Sequence, residues 1–281
     1  EPRLPRPTFV KAYLDAFRPK PAPSIGDDAP QGDQTLKRAF EALEAQDYAH
    51  SLSLFQEALQ QGLSTKELEA AALNMHGTYM FVMGEAKRAL EDLDRSIELC
   101  PENVQTWVKK ASVHVELGDK DAAMADFDRA VALNADDADI YYHRGQVHFI
   151  LGEFEAAMSD YSKSTSLDDT FIFSQVQHAV ASYKLGNIAR STAEFCRILK
   201  KFSDSSESYN YFGELMLDQQ RHEDAVANFD KSIALEQAKP KGKNVLPMIN
   251  KALVLFQWQQ DLTGAEQLCS EALRGARSRV D

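Results

Sequence analysis

The chain has 281 residues, 44% of them hydrophobic and 26% charged, which is the make-up of an ordinary folded protein and excludes global disorder. Acidic residues outnumber basic ones 43 to 31, for a net charge of −12; this argues against nucleic acid and anionic lipid as partners and favours basic ones. No apolar run reaches the ~18 residues that span a bilayer, and three cysteines (Cys100, Cys196, Cys269) without a CxxC pattern read as reduced residues rather than a disulfide framework or a zinc site.

In chain order, Glu1 to Pro7 hold three prolines and no apolar stretch, which is not a signal peptide. In Thr8 to Phe17, Phe9, Tyr13 and Phe17 recur every four residues and fall on one face of a helix. Thr8 can cap this helix and Pro19 stops it. So short a helix is marginal in water, so it is expected to dock on its own domain or on a partner. The run Arg18-Pro19-Lys20-Pro21-Ala22-Pro23 then reads as a stiff connector. Residues 1–34 are therefore expected to form a docking helix with a proline-rich connector.

From Thr35 onward the chain is self-similar. Gly84, Gly118, Gly152 and Gly186 are 34 residues apart, and the next frame puts Gln220 in their place. Seven residues before each stands a small residue: Gly77, Ala111, Gly145, Ala179 and Gly213. Five after comes Ala89, Ala123, Ala157, Ser191 or Ala225, and four further on a large apolar residue: Leu93, Phe127, Tyr161, Phe195 or Phe229. This period with small, small and large residues at these offsets is the tetratricopeptide signature. A weaker copy lies upstream at Ala39, Ser51, Phe55 and Ala58, with four extra residues around Gly62. Another lies downstream at Leu253, Ala265 and Ala272, after an insertion near Lys239 to Asn244. The expected fold is all-α, a right-handed superhelix of about seven tetratricopeptide helix hairpins over residues 35–281. The small residues should let paired helices approach closely, the large one should fill the groove between repeats, and the glycine should supply the left-handed turn that ends each first helix. Terminal repeats need a polar outer face, yet the last helix runs into Gly275 to Asp281 without a capping helix. That predicts either further residues or a covering surface.

First helices line the concave face of such an array. Counting around the small residue, the groove-facing positions include Asn74, Met75 and Thr78, then Val108, Lys109 and Ser112, and Asn210, Leu217, Asn250, Val254 and Trp258. The expected contact residues are Tyr142, His143, Gln146, Phe149, Phe173, Val176, Gln177, Val180, Tyr183, Tyr211 and Glu214. Apolar groups there suit an amphipathic or hydrophobic peptide. Some arrays of this family clamp the C-terminal carboxylate of heat-shock chaperones with lysines, asparagines and an arginine. The matching positions here hold Leu36, Phe40, Met75, Gln105 and Lys109, or, one repeat later, Asn74, Thr78, Asp139 and His143. Those side chains do not supply converging cations, so no clamp is expected.

No enzyme motif appears: no GxGxxG, P-loop, GxSxG or HExxH. No cofactor and no metal site is expected. His114 and His148 share one repeat position, which argues for packing. Asp27-Asp28 and Asp136-Asp137-Ala138-Asp139 read as solvated loops or helix caps, since a calcium loop needs a glycine and a final glutamate at fixed spacing.

The string Tyr141-Tyr142-His143-Arg144-Gly145-Gln146-Val147-His148-Phe149-Ile150, with Asp160-Tyr161-Ser162-Lys163, resembles the corresponding repeat of the seventy-kilodalton import-receptor family of the mitochondrial outer-membrane translocase, in its fungal form. The run Leu255 to Leu262, the proline connector with its Phe9–Phe17 helix, and Lys200-Lys201-Phe202 are similar to it as well. The resemblance implies a non-enzymatic receptor at the mitochondrial outer membrane, facing the cytosol, of which this soluble stretch is the C-terminal repeat part. It implies binding of mitochondrial precursor proteins: internal signals of hydrophobic carriers and presequence-like helices. It also implies contact with other translocase subunits. Heat-shock chaperones and the membrane would be reached only through a clamp domain and an anchor absent from this chain, and an uncapped end admits a homodimer. After Ala272-Leu273-Arg274 the sequence departs from the family, which usually turns through an Asp-Pro pair. The competing expectation is a scaffold or co-chaperone that binds a folded partner through its convex face.

Overall fold

The computed structural model describes residues 22–239 and 244–277. The Phe9–Phe17 helix lies outside the described residues, as does the middle of the insertion at 240–243. The described residues form fourteen α-helices and no strand. They are α1 (Gln31–Glu44), α2 (Tyr48–Gln61), α3 (Lys66–Val82), α4 (Ala86–Leu99), α5 (Val104–Glu116), α6 (Lys120–Leu133), α7 (Ala138–Ile150), α8 (Phe154–Leu167), α9 (Ile172–Lys184), α10 (Ile188–Lys201), α11 (Ser206–Asp218), α12 (His222–Ala238), α13 (Leu246–Val254) and α14 (Leu262–Arg277). Two compact units divide inside α7, after Val147. In the first, α1 pairs with α2, α3 with α4 and α5 with α6; in the second, α9 pairs with α10, α11 with α12 and α13 with α14.

The turn between paired helices follows from one left-handed residue. Gly84, Gly118, Gly152 and Gly186 have φ between 76 and 81°, as their spacing predicts. Gln220 adopts φ 61° where the period runs out of glycine, and Gln46 (φ 63°) does so upstream. A left-handed conformation in a residue with a Cβ costs roughly 1–2 kcal/mol, so these two turns are held by packing rather than by backbone preference.

The small-small-large pattern is the helix contact itself. Ala39, Ala111 and Ala179 are fully buried on first helices, and Ser51, Ala89, Ala123, Ala157, Ser191 and Ala225 on second helices. So are Phe55, Leu93, Phe127, Tyr161, Phe195 and Phe229. A Cβ on Gly77 would stand 3.1 Å from the Ala89 carbonyl oxygen, and one on Gly213 only 2.6 Å from the Phe229 ring. Where the second helix offers serine, its hydroxyl uses the same proximity. Ser51 Oγ donates to the Ala39 carbonyl at 2.9 Å, and Ser191 Oγ donates to the Ala179 carbonyl at 2.7 Å.

The last hairpin departs from the expected register. Leu253, read as its packing residue, is 43% exposed, while Ala252 is buried. The cause is a π-helical turn over Leu255–Gln259 that ends at left-handed Gln260 (φ 56°). A π turn carries one extra residue, so the packing position lies eight rather than seven residues before the turn. Ala272 is buried as expected.

One buried carboxylate fixes the start of that hairpin. Glu236 accepts from Ser206 Oγ, from Lys239 Nζ at 2.6 Å and from the Asn244 backbone N–H at 2.6 Å. Burial alone would raise its pKa, but these donors outweigh it and hold the carboxyl below its ordinary value. A lowered folded-state pKa gives stability that is present above the unfolded value of about 4.3 and is lost as pH falls through the folded value.

Three outcomes follow from this packing. Ala157→Leu should overpack its site and lower stability by about 1–3 kcal/mol; an unchanged melting temperature would refute the register. Gln220→Gly should relieve the left-handed turn and raise stability by about 0.5–1 kcal/mol, read from urea melts against wild type. Glu236→Gln should cost about 1–3 kcal/mol at pH 7, and the gap to wild type should close below about pH 4; a gap independent of pH would assign the loss to shape instead of charge.

Candidate functional site

Within each unit, first helices also touch one another: α1 with α3 and α3 with α5, then α9 with α11 and α11 with α13. This second contact decides which side chains remain accessible. The row Asn74, Val108, Tyr142, Val176 and Asn210, spaced by 34, is buried throughout. Asn74 Nδ2 donates to Thr106 Oγ1 at 2.7 Å, and Asn250 Nδ2 donates to Asn210 Oδ1 at 3.0 Å, both from one first helix to the next. Val176 is 1% exposed in the core that also takes Val254, so neither lies on the surface where helix phase alone put it. A first helix is covered on two sides, and counting within one hairpin sees only one of them.

Tyr142 and His143 are buried as well, their rings edge-on at 5.1 Å. Gln146, on the same helix, is half-buried. Phe149 falls in the second unit, half-buried against the Phe154 ring at 5.2 Å.

The remaining six expected residues come together in the second unit. α9 presents Phe173, Gln177, Val180 and Tyr183, all half-buried, and α11 presents Tyr211, half-buried, and Glu214, exposed. Phe173 lies 5.7 Å from the Phe171 ring. Val180, Tyr183 and Tyr211 rest on the core formed by Val176, Leu215 and Val254, with part of each left accessible. Burial pushes the Tyr211 phenol up in pKa, against a hydrogen bond with Gln177 that pulls it down.

Three residues that the contact set did not contain complete this surface. Tyr183 Oη donates to Asp218 Oδ2 at 2.7 Å, and that bond raises the Tyr183 phenol to about 12. Glu214 Oε1 accepts from Asn210 Nδ2 and Asn250 Nδ2, each at 2.7 Å. Partial desolvation raises the Glu214 carboxyl above its ordinary value, with the two amides opposing. The result is an apolar strip of Phe173, Val180 and Tyr183 beside an acidic track of Glu214 and Asp218. Such a surface can take a peptide with one greasy and one basic side.

Lys109, the one cation at a clamp position, is buried and donates to Asn74 Oδ1 at 2.6 Å. A recurring charge pair was also legible but unread. Asp92, Asp126, Asp160 and Glu194 repeat at 34 residues, as do His76, Lys110, Arg144 and His178. His76 Nδ1 lies 2.7 Å from Asp92, His178 Nδ1 lies 3.0 Å from Glu194, and Lys110 reaches Asp94 at 2.8 Å and Asp126 at 3.8 Å. His114 also pairs with Asp126, at 2.8 Å, and His148 with Glu153, at 2.7 Å, so the shared phase of these two histidines places them on carboxylates. All three cysteines are free, Cys100 buried and the other two exposed. Among the described residues no helix is long and apolar enough to cross a membrane.

Comparison with known proteins agrees with this geometry. The tetratricopeptide-repeat family model matches residues 108–168. The mitochondrial import receptor subunit TOM70 of mouse is 27% identical over 97% of this chain, and the chain spans 48% of that relative's length. The crystal structure of yeast Tom70 superposes with a TM-score of 0.85 at 25% identity, over 96% of this chain and 59% of the other. A tetratricopeptide repeat protein from Parabacteroides merdae shares the fold, with a TM-score of 0.65 at 17% identity over 86% of this chain and 92% of its own. The chain is therefore similar to TOM70 proteins over about half of their length, and what it shares with them is a run of tetratricopeptide helix hairpins.

Proposed function

We propose that this chain is the precursor-binding part of a mitochondrial import receptor at the cytosolic face of the outer membrane, and that it works without chemistry of its own. Its clients would be mitochondrial precursor proteins: internal segments of hydrophobic carriers, and presequence-like helices that are basic and amphipathic. The observation that carries this reading is the first-helix surface of the second unit, where Phe173, Val180 and Tyr183 leave apolar area accessible beside Glu214 and Asp218. A contiguous apolar strip left accessible to water, rimmed by charge, is the mark of a binding surface. The acidic track and the net charge of −12 suit a basic helix electrostatically. Docking of folded translocase subunits would use other faces.

The test is binding of a fluorescein-labelled peptide from an internal segment of a mitochondrial carrier, read by anisotropy. Phe173→Ala combined with Tyr183→Ala should weaken it by roughly tenfold, as loss of two aromatic anchors does, with helicity by circular dichroism unchanged. Equal affinity in the double variant would remove this surface as the site.

A further inference from the structure

On the opposite face of α9 from the peptide surface, a cleft of about 560 Å³ runs between α8 and α10. Its α10 wall carries Arg190, Glu194, Arg197 and Lys201, at steps of four, three and four residues, so they form one stripe of the helix. Its α8 wall offers the hydroxyls of Ser162 and Thr165, and His178 of α9 lies at its base.

The charge here runs against the rest of the molecule. α10 carries Arg190, Arg197, Lys200 and Lys201 against Glu194, a sum of 4 − 1 = +3, so the remainder of the chain is −12 − 3 = −15. The one carboxylate in the cleft is already satisfied. Glu194 accepts from Arg190 Nε at 2.9 Å and faces His178 Nδ1 at 3.0 Å. Burial would raise its pKa, but these two partners hold it below the ordinary value, so it stays ionised and fixes the Arg190 guanidinium along the wall. Arg197 is exposed and has no acidic partner among the described residues, while Lys201 holds Asp169 at 2.8 Å outside the cleft lining. One guanidinium fixed along the wall and a second without an acidic partner, beside hydroxyls, can bind carboxylates through charge-assisted hydrogen bonds.

We propose that this cleft binds an acidic peptide segment of a partner protein, with its carboxylates on Arg190, Arg197 and Lys201. From Arg190 to Lys201 the wall is about 16 Å long at 1.5 Å per residue, which matches roughly five residues of extended peptide. The site is separate from the precursor surface, so a partner held here leaves that surface open.

The probe is a fluorescein-labelled peptide of alternating Glu and Ser, titrated with the whole chain at about 50 mM salt, where surface charges are weakly screened. Binding should appear despite the repulsion expected from a net-negative protein, and should vanish for the Gln-and-Ser peptide. Arg197→Glu should weaken it at least about tenfold, whereas Lys87→Glu, on exposed α4 surface, should change it less than about twofold. Arg197 is exposed, so the variant should keep wild-type helicity, checked by circular dichroism. The proposal is overturned by no binding of the Glu peptide, by equal affinity in Arg197→Glu, by an equal loss in Lys87→Glu, or by binding of a phosphoserine peptide alone. Loss of carrier-peptide binding in Phe173→Ala with Tyr183→Ala bears on the other surface and leaves this result unaffected.

Discussion

A methyl group at Gly213 would meet the Phe229 ring at 2.6 Å, and one at Gly77 would meet the backbone of α4 at 3.1 Å. These distances set how closely a first helix lies on its second helix. The groove filler can then be a full aromatic ring, as at Phe127, Tyr161, Phe195 and Phe229, and still be fully buried. A ring of that size buries 150–250 Å², so the groove filler is a large single contribution to the apolar burial of its hairpin. The left-handed residue seven after the small residue of the first helix follows from it. The chain must reverse within a short turn to bring the second small residue opposite the first, and Gln46 and Gln220 take the strained φ where glycine is missing.

The charge pairs solve a different problem. A hairpin packed on apolar rings alone could slide by a turn with little loss. The carboxylates Asp92, Asp126 and Glu194 sit one residue before the groove filler and meet His76, Lys110 and His178, respectively, on the first helix. Such half-buried pairs bring little net stability, because desolvation offsets attraction. Asp126 displays the balance: burial raises its carboxyl above the ordinary value in spite of Lys110 and His114 beside it. Their effect is to fix register, since a slip by one turn would leave a partly buried carboxylate without its partner. Lys110 extends this between hairpins by also holding Asp94.

Helix pairing, turn positions and groove fillers were legible because they recur at 34 residues, and repetition averages away the noise of any single motif. The four extra residues around Gly62 were legible for the same reason, and Gln46 lies that much further from Gly84. The surface was only half legible. Tyr142, His143 and Val176 were placed outside by counting round one helix, yet they are buried. Leu253 was misplaced by the π turn at Leu255–Gln259, an insertion that no period announces. Asp218 is not legible in the sequence because its role depends on Tyr183 lying opposite on another helix.

Comparing rows of the repeat separates scaffold from function. The row Leu93, Phe127, Tyr161, Phe195 and Phe229 varies only in the shape of a large apolar group, and every member is fully buried. The row Thr78, Ser112, Gln146, Val180 and Glu214 changes from hydroxyl to amide to aliphatic to carboxylate, and becomes more open along the chain, from buried Thr78 to exposed Glu214. A row that packs the same neighbour in each repeat is constrained to one chemistry. A row that faces solvent is not, and its differences can only be read by what touches it from outside. Glu214 therefore matters as an exception to its own row: a carboxylate held by two amides next to apolar area, where the fold itself asks for nothing charged. The same reasoning applies to α10, whose basic stripe runs along a second helix in a protein that is otherwise strongly acidic.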